Sequence, residues 1–195
     1  MANRLEALLN EIKALEKELI NEIENKKKEY SYDVIKRAIL FKEEVVSRHR
    51  EQTTRIRDYL RHARLRNIAT APIIWLNLFP ALLMDLVVTI FQFSCFPVYG
   101  IPKVKRSDYI VIDRHYLQYL NLIEKINCVY CGYFNGVIAY VQEVAGRTEQ
   151  YWCPIKHARN LKTMHNRYSQ FSEFGDSEHF HKNFKKLRNK FDDLK

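Results

Sequence analysis

The first 71 residues contain neither glycine nor proline, the two residue types that most often interrupt a helix. Apolar residues recur in this stretch at steps of three and four, between charged residues: Leu5, Leu8, Ile12, Leu15, Leu19 and Ile23. Such a stripe is typical of a coiled-coil helix that packs against a partner. A weaker continuation runs on through Val45. We therefore predict one long helix over residues 1–66 that mediates self-association.

Charge is almost missing from the stretch that follows. Ile68 to Pro102 holds one charged residue, Asp85, in 35 positions. A transmembrane helix needs about 20 apolar residues, so this run is long for one straight span and short for two. Pro80 and Asp85 would lie near the bend of a hairpin that enters and leaves the membrane by the same face. The prediction for residues 67–106 is such a re-entrant hairpin, with a single span as the alternative.

Basic residues lie on both sides of the apolar run, in a chain whose net charge is +9. Seven arginines lie between Arg48 and Arg66. Basic flanks favour anionic lipid headgroups over nucleic acid, and they prefer the cytoplasmic side. We expect both termini in the cytoplasm, Trp75 and Tyr99 at the membrane interface, and headgroup contacts from six basic residues: Arg61, Arg64, Arg66, Lys103, Lys105 and Arg106.

Cysteine is scarce, and three of the four cysteines lie near one histidine. Residues 1–31 lack the apolar segment of a secretory signal, so we expect reduced thiols. Three thiolates and one imidazole form a tetrahedral set, for which zinc is the default metal and iron the alternative. The predicted ligands of this structural site are Cys128, Cys131, Cys153 and His157.

The spacing of these residues supports the metal prediction. Cys128 and Cys131 precede Gly132, and this CxxCG pattern resembles the knuckle of rubredoxins and zinc ribbons, in which glycine permits a left-handed backbone. On a helix, Cys153 and His157 would share a face. We expect helices starting at Asp113 and Asn135, with the metal stapling a small helical domain over residues 107–195, and a last helix starting at Asp176.

The longer segment YLNLIEKINCVYCGYFNGVIAYVQEVAGRTEQYWCPIKHAR, from Tyr119 to Arg159, resembles a family of small, uncharacterised bacterial membrane-associated proteins. The resemblance implies a bacterial inner-membrane setting and brings no activity with it. Together with the patterns above, it predicts an all-α, membrane-anchored metal-binding protein. Its role would be that of an oligomeric scaffold or a subunit of a membrane complex.

Two other functions fit parts of the sequence. Arg159 and His165, with five residues between them, resemble the R-x4–6-H signature of HEPN ribonucleases, in which histidine and arginine serve acid–base and phosphate-stabilising roles. Asp85 would line the pore of an oligomeric channel. The sequence contains no glycine-rich phosphate loop, nucleophile elbow or HExxH motif, which favours a non-enzymatic role.

Overall fold

The computed structural model describes residues 2–30, 32–35 and 38–194, and the side chain of Leu5, the first residue of the predicted stripe, lies outside the described part. The described chain is mostly helical. Its helices are α1 (Ala2–Glu29), α2 (Glu43–Glu51), α3 (Ile56–His62), α4 (Leu65–Leu76), α5 (Leu78–Tyr99), α6 (Leu122–Trp152) and α7 (Ser177–Arg188), and its strands are β1 (Tyr32–Ile35) and β2 (Ala38–Phe41). Single 3-10 turns occupy Arg106–Asp108, Arg114–Tyr116, Tyr168–Gln170 and Asp192–Leu194.

The chain forms two compact units. The first contains Met1–Leu60 and Asp113–Lys125, and the second contains Arg61–Ile112 and Ile126–Lys195.

In the first unit, the prediction of one helix over residues 1–66 is wrong. α1 ends at Glu29, and the chain then forms an antiparallel hairpin in which Tyr32 lies opposite Phe41. Aromatic and β-branched residues are frequent in this stretch and favour a pleated strand over a helix. The rings of Tyr32 and Phe41 are 5.6 Å apart, which is the distance of a cross-strand aromatic pair.

Aromatic contacts extend from the hairpin through the rest of the first unit. The ring of Phe41 lies 5.3 Å from His49 of α2, and His49 lies 5.0 Å from Tyr119 in an edge-on arrangement. The Thr53 hydroxyl donates a hydrogen bond of 2.7 Å to the carbonyl of Gln118. These contacts hold α2 against the segment that precedes α6.

The start of α6 differs from the prediction as well. Asn121 and Glu124 form a capping box: the Glu124 amide donates to the Asn121 side chain, and the Asn121 amide donates to the Glu124 carboxylate. The helix therefore begins at Leu122 and not at Asp113, which is followed only by a 3-10 turn. A reciprocal cap satisfies two backbone amides at once, whereas the side chain of Asp113 caps no helix.

The predicted hairpin near Pro80 and Asp85 is absent from the second unit. α4 and α5 are separated only by Asn77, and α5 runs straight through both residues. Pro80 is the third residue of α5, where a helix has no partner for its backbone amide, so the proline is tolerated. Gly100, with a φ of 68°, ends the helix in the left-handed conformation.

α6 is one helix of 31 residues that continues through Asn135, so the prediction of a separate helix starting there is wrong, and α6 runs parallel to α5. The residue numbers in contact increase together along the two helices, from the hydrogen bond between Asp85 and Tyr133 to the ring contact between Tyr99 and Tyr151. The residues between the helices, 101–112, run back beside them, and we name them the return segment. All three elements and the C-terminal tail contribute to one buried core: Phe96, Ile101, Val104, Tyr140, Val144 and Phe191.

The last helix confirms the prediction that it starts at Asp176. The Asp176 carboxylate accepts a hydrogen bond of 2.9 Å from the amide of His179 and caps α7. The buried side chain of Gln150 donates to the carbonyls of Leu187 and Lys190 at the other end. The Gln150 side chain therefore fixes the C-terminal end of α7 to the end of α6.

Candidate functional site

The polar side chains of α5 lie on the face that is turned toward the protein. Asp85, Thr89 and Gln92 follow one another at steps of four and three, which places them on one side of a helix. Asp85 and Gln92 are buried and Thr89 is partly buried. A soluble surface helix has the reverse arrangement, with its polar face outward.

Asp85 is held by two groups from other parts of the second unit. The Arg106 guanidinium donates two hydrogen bonds to its two carboxylate oxygens, at 2.9 and 2.6 Å. The Tyr133 hydroxyl donates a third, at 2.8 Å. Burial and the bond to Asp85 raise the pKa of Tyr133 above its usual value, so its hydroxyl stays a donor. The one charge of the apolar run is thus paired and hydrogen-bonded.

Gln92 fixes the return segment to α5. Its side-chain oxygen accepts a hydrogen bond of 2.9 Å from the amide of Val104, and its nitrogen donates to the carbonyl of the same residue at 3.2 Å. The nitrogen also lies 2.6 Å from the hydroxyl of Tyr140 on α6. One buried amide therefore joins all three elements, and the polar atoms of the interface have partners.

The opposite face of α5 is apolar and exposed. Its large side chains each expose half or more of their surface: Phe79, Leu82, Leu83, Leu86, Val87, Ile90, Phe93 and Val98. The helical run Leu65–Tyr99 is long and apolar enough to cross a membrane, with a mean hydropathy of 2.1 in its apolar window. Polar residues inside and apolar residues outside are the pattern of a helix whose outer face contacts lipid or another protein.

Charged side chains lie beside the middle of α5. The Lys103 ammonium lies over the ring of Phe93, 4.1 Å from its centroid. Exposed Lys105 pairs with Asp108 at 3.5 Å, and Arg106 reaches Asp85, the eighth residue of this 22-residue helix. The return segment therefore carries its charges along the flank of α5, well away from the helix ends.

No protein-family model, curated protein or solved structure matches this chain. The resemblance to bacterial membrane-associated proteins stays a prediction, and the function is inferred below from the arrangement of α5, α6 and the return segment.

The four predicted metal ligands are not brought together. Cys128 and Cys131 lie on α6, and Cys153 directly follows its last residue. Cys131 and Cys153 are 22 positions apart, which a straight helix extends to about 33 Å. Among the described residues, no group of three histidine, cysteine or acidic side chains is placed to hold a metal.

A zinc or iron site formed by these residues remains a prediction. It requires that the α6 helix be interrupted between Cys131 and Cys153. Elemental analysis of the purified chain, with Cys153→Ser for comparison, tests it.

The glycine after the CxxC pattern has a role other than the one predicted. Gly132 is helical, and a Cβ atom built on it would lie 3.2 Å from the carbonyl oxygen of Val111. A Cβ on Gly136, one turn later, would lie 2.8 Å from the Cα of Ile110. Both glycines therefore allow the return segment to lie close against α6.

The prediction that Cys153 and His157 share a helical face is wrong. α6 ends at Trp152, and the following residues pair with a later segment through a bridge between Ile155 and Ser172. Pro154 cannot donate a helical hydrogen bond, and it disfavours the helical conformation in the residue before it. The His157 amide donates a hydrogen bond of 2.7 Å to the hydroxyl oxygen of Tyr168.

The pair that resembles the HEPN signature lies in irregular structure. Arg159 is exposed, and His165 lies with its Nε2 3.0 Å from a carboxylate oxygen of Glu149. A Cβ on Gly146 would lie 2.7 Å from the other ring nitrogen of His165, so the glycine makes room for this ring. The buried arginine of this region is Arg167, which pairs with Asp193. Burial lowers the pKa of Arg167. The ribonuclease interpretation gains no support from these contacts.

The other predicted membrane residues occupy two environments. Trp75 packs on the ring of Tyr130 at 4.9 Å, and Tyr99 packs on Trp152 at 5.2 Å, so both aromatics contact α6. Pro80 is exposed on α5. The basic residues before the apolar run are exposed: Arg61, Arg64 and Arg66.

The sequence did not reveal most of the polar network around Asp85 and Gln92. Thr89, Gln92, Tyr133 and Tyr140 were not predicted as site residues. The steps of four and three from Asp85 to Gln92, within an otherwise apolar run, were the signal that could have identified the buried face of α5. Tyr133 and Tyr140 are seven positions apart on α6, which is two helical turns and one face.

Proposed function

We propose that this chain is a membrane-anchored, oligomeric scaffold or complex subunit of a bacterial inner membrane. The observation that carries the proposal is the inverted polarity of α5, whose polar side chains face the protein and whose apolar side chains face outward. This surface suits lipid acyl chains, and the basic residues around it suit anionic headgroups.

The position of the charges favours insertion into one leaflet over a full span. Lys105 and Asp108 are exposed beside the middle of α5, where a transmembrane orientation would place them in hydrocarbon at a cost of several kcal/mol. The run Leu65–Tyr99, at about 52 Å, also exceeds the roughly 30 Å of the hydrocarbon core. A helix lying in the interface avoids both conflicts, and it keeps both termini in the cytoplasm.

The channel alternative has less support. A pore-lining carboxylate must offer oxygen atoms to passing ions, whereas both oxygens of Asp85 accept hydrogen bonds from Arg106 or Tyr133. The geometry fits a carboxylate that fastens the return segment to α5.

Replacing Leu86 with glutamate tests the lipid-facing role of α5. Leu86 is 58% exposed on the outward face. On membrane binding, an ionised side chain at this position would have to leave water and approach the hydrocarbon of the bilayer. We expect partitioning onto vesicles that contain phosphatidylglycerol to fall about tenfold, the effect of roughly 1.4 kcal/mol. Flotation of the purified protein with vesicles measures the change.

The matched control is Phe174→Glu, which adds the same charge at a residue that is 66% exposed but lies between Ser172 and α7. Equal loss of binding in both variants would show that net charge, and not the α5 face, governs attachment.

In intact cells, impermeant reagents should label neither a tag at residue 1 nor one at residue 195. Labelling of one tag alone would identify a full span.

The N-terminal helix supplies the second part of the proposal. Its apolar stripe is unprotected within the described chain, with Ile12, Leu15 and Leu19 all more than half exposed. Such a stripe is stabilised by a partner helix. Deleting residues 1–28 should lower the number of subunits per particle, measured as intact mass in detergent, while flotation with vesicles is retained. An unchanged subunit number would reject α1 as the association element.

A further inference from the structure

An open groove lies between α5 and α6, on the side away from the return segment. Its volume is about 450 Å³, within the range of sites that bind small molecules. Its lining is mainly apolar and includes Val88, Phe91, Val141, Ala145, Thr148 and Trp152.

The groove adjoins the outward face of α5. Phe91 follows Val87 by four positions and precedes Val98 by seven, so the three side chains lie on one stripe of the helix. Val87 and Val98 are exposed, and Phe91 is half-buried at the edge of the groove. An apolar ligand could therefore pass from the lipid around α5 into the groove without crossing water.

The polar side chains of the lining already have partners. The Thr148 hydroxyl donates a hydrogen bond of 2.8 Å to the carbonyl oxygen of Val144. A carboxylate oxygen of Glu149 lies 3.0 Å from Nε2 of His165. The groove consequently presents methyl, methylene and ring surface to a ligand. Burial of such surface favours an apolar chain over a sugar, nucleotide or peptide.

We propose that this groove binds one acyl chain of a membrane lipid. The groove follows α6 from Val141 to Trp152, which is about 16 Å of helix and suits an extended chain. This inference rests on the proposed membrane attachment, because the bilayer around α5 supplies the chain. Occupation would join α5 to α6 along the side that the return segment leaves open.

Tryptophan fluorescence tests the proposal, because the chain has two tryptophans and Trp152 lines the groove. The variant Trp75→Phe leaves Trp152 as the only tryptophan. It is bound to vesicles of phosphatidylcholine and phosphatidylglycerol whose acyl chains carry bromine near their middle. We expect the brominated acyl chains to quench the fluorescence of Trp152 strongly, and iodide dissolved in the water to quench it weakly.

In the same background, Ala145→Phe fills the groove and should abolish the quenching by bromine. The matched control, Ala139→Phe, enlarges another exposed alanine of α6 that does not line the groove and should retain it. Thr148→Leu fills the groove from the next turn and should act like Ala145→Phe. Circular dichroism and flotation establish that each variant is folded and bound.

Binding to vesicles without bromine quenching of Trp152, or equal quenching in the Ala145 and Ala139 variants, would overturn the acyl-chain site and leave membrane attachment intact. Loss of flotation by the parent protein would overturn the attachment itself. A fall in subunit number caused by Ala145→Phe would assign the groove to a second copy of the chain, and this too contradicts the proposal.

Discussion

Replacing Arg106 with alanine should lower the free energy of unfolding by about 2–3 kcal/mol. The Asp85 carboxylate is buried and would lose two of its hydrogen bonds and its counter-charge, while the hydroxyl of Tyr133 remained. Breaking a fully buried ion pair costs about 3–5 kcal/mol, and the estimate here is lower because the Arg106 side chain is 45% exposed. Denaturant unfolding in detergent measures the loss.

The neighbouring Lys105→Ala is the matched control. Lys105 pairs with Asp108 in solvent, so its removal should cost less than about 0.5 kcal/mol. Adding Asp85→Leu to Arg106→Ala should restore most of the lost stability, because the double variant leaves no unpaired charge. Similar losses for the Lys105 and Arg106 variants would contradict the role assigned to the ion pair.

Gly136→Val should destabilise the protein more strongly, by about 3 kcal/mol or more. A Cβ atom at this position would lie 2.8 Å from the Cα of Ile110 and 2.9 Å from the carbonyl oxygen of Tyr109. Both are backbone atoms, which cannot turn aside as a flexible side chain can. α6 would have to separate from the return segment, and thermal unfolding would report a lower midpoint.

Two variants on α6 separate close packing from helix propensity. Ala139→Val introduces the same β-branched side chain at an exposed position and should cost only a few tenths of a kcal/mol. Gly132→Ala, whose Cβ would be 3.2 Å from a carbonyl oxygen, should lie between the two. If the thermal unfolding midpoints of Gly136→Val and Ala139→Val are the same, the close approach of α6 to residue 110 does not limit the size of the side chain at position 136.

Local signals predicted those parts of the fold that depend on neighbours in the chain. α7 follows the capping aspartate, Asp176, whereas the bend predicted near Pro80 and Asp85 is absent, because a proline in the first turn of a helix does not interrupt it. The apolar stripe from Leu5 to Ile23 correctly predicted the helical conformation of α1, which is the first part of the helix predicted over residues 1–66. The same reasoning failed at Tyr32–Phe41, where cross-strand pairing of aromatic residues outweighs a continued helical spacing.

The candidate site could be predicted only in part, because its contacts join residues distant in the sequence. The spacing of Cys128 and Cys131 suits two thiolates on one metal, but it also places two side chains on one helical face. Gly132 packs against residue 111 as part of α6, and no local pattern reveals this packing. Asp85 was recognised from its apolar surroundings, whereas its partner Arg106 was assigned to lipid headgroups.

The distances along the chain between Asp85, Gln92 and their partners bear on the order in which these contacts form during folding. Val104 follows Gln92 by 12 positions and Arg106 follows Asp85 by 21, whereas Tyr133 follows Asp85 by 48. Short loops close at a lower entropic cost than long ones. The Asp85–Arg106 ion pair can therefore form before α6 packs on α5, so that the buried carboxylate is already neutralised when the Tyr133 hydroxyl reaches it.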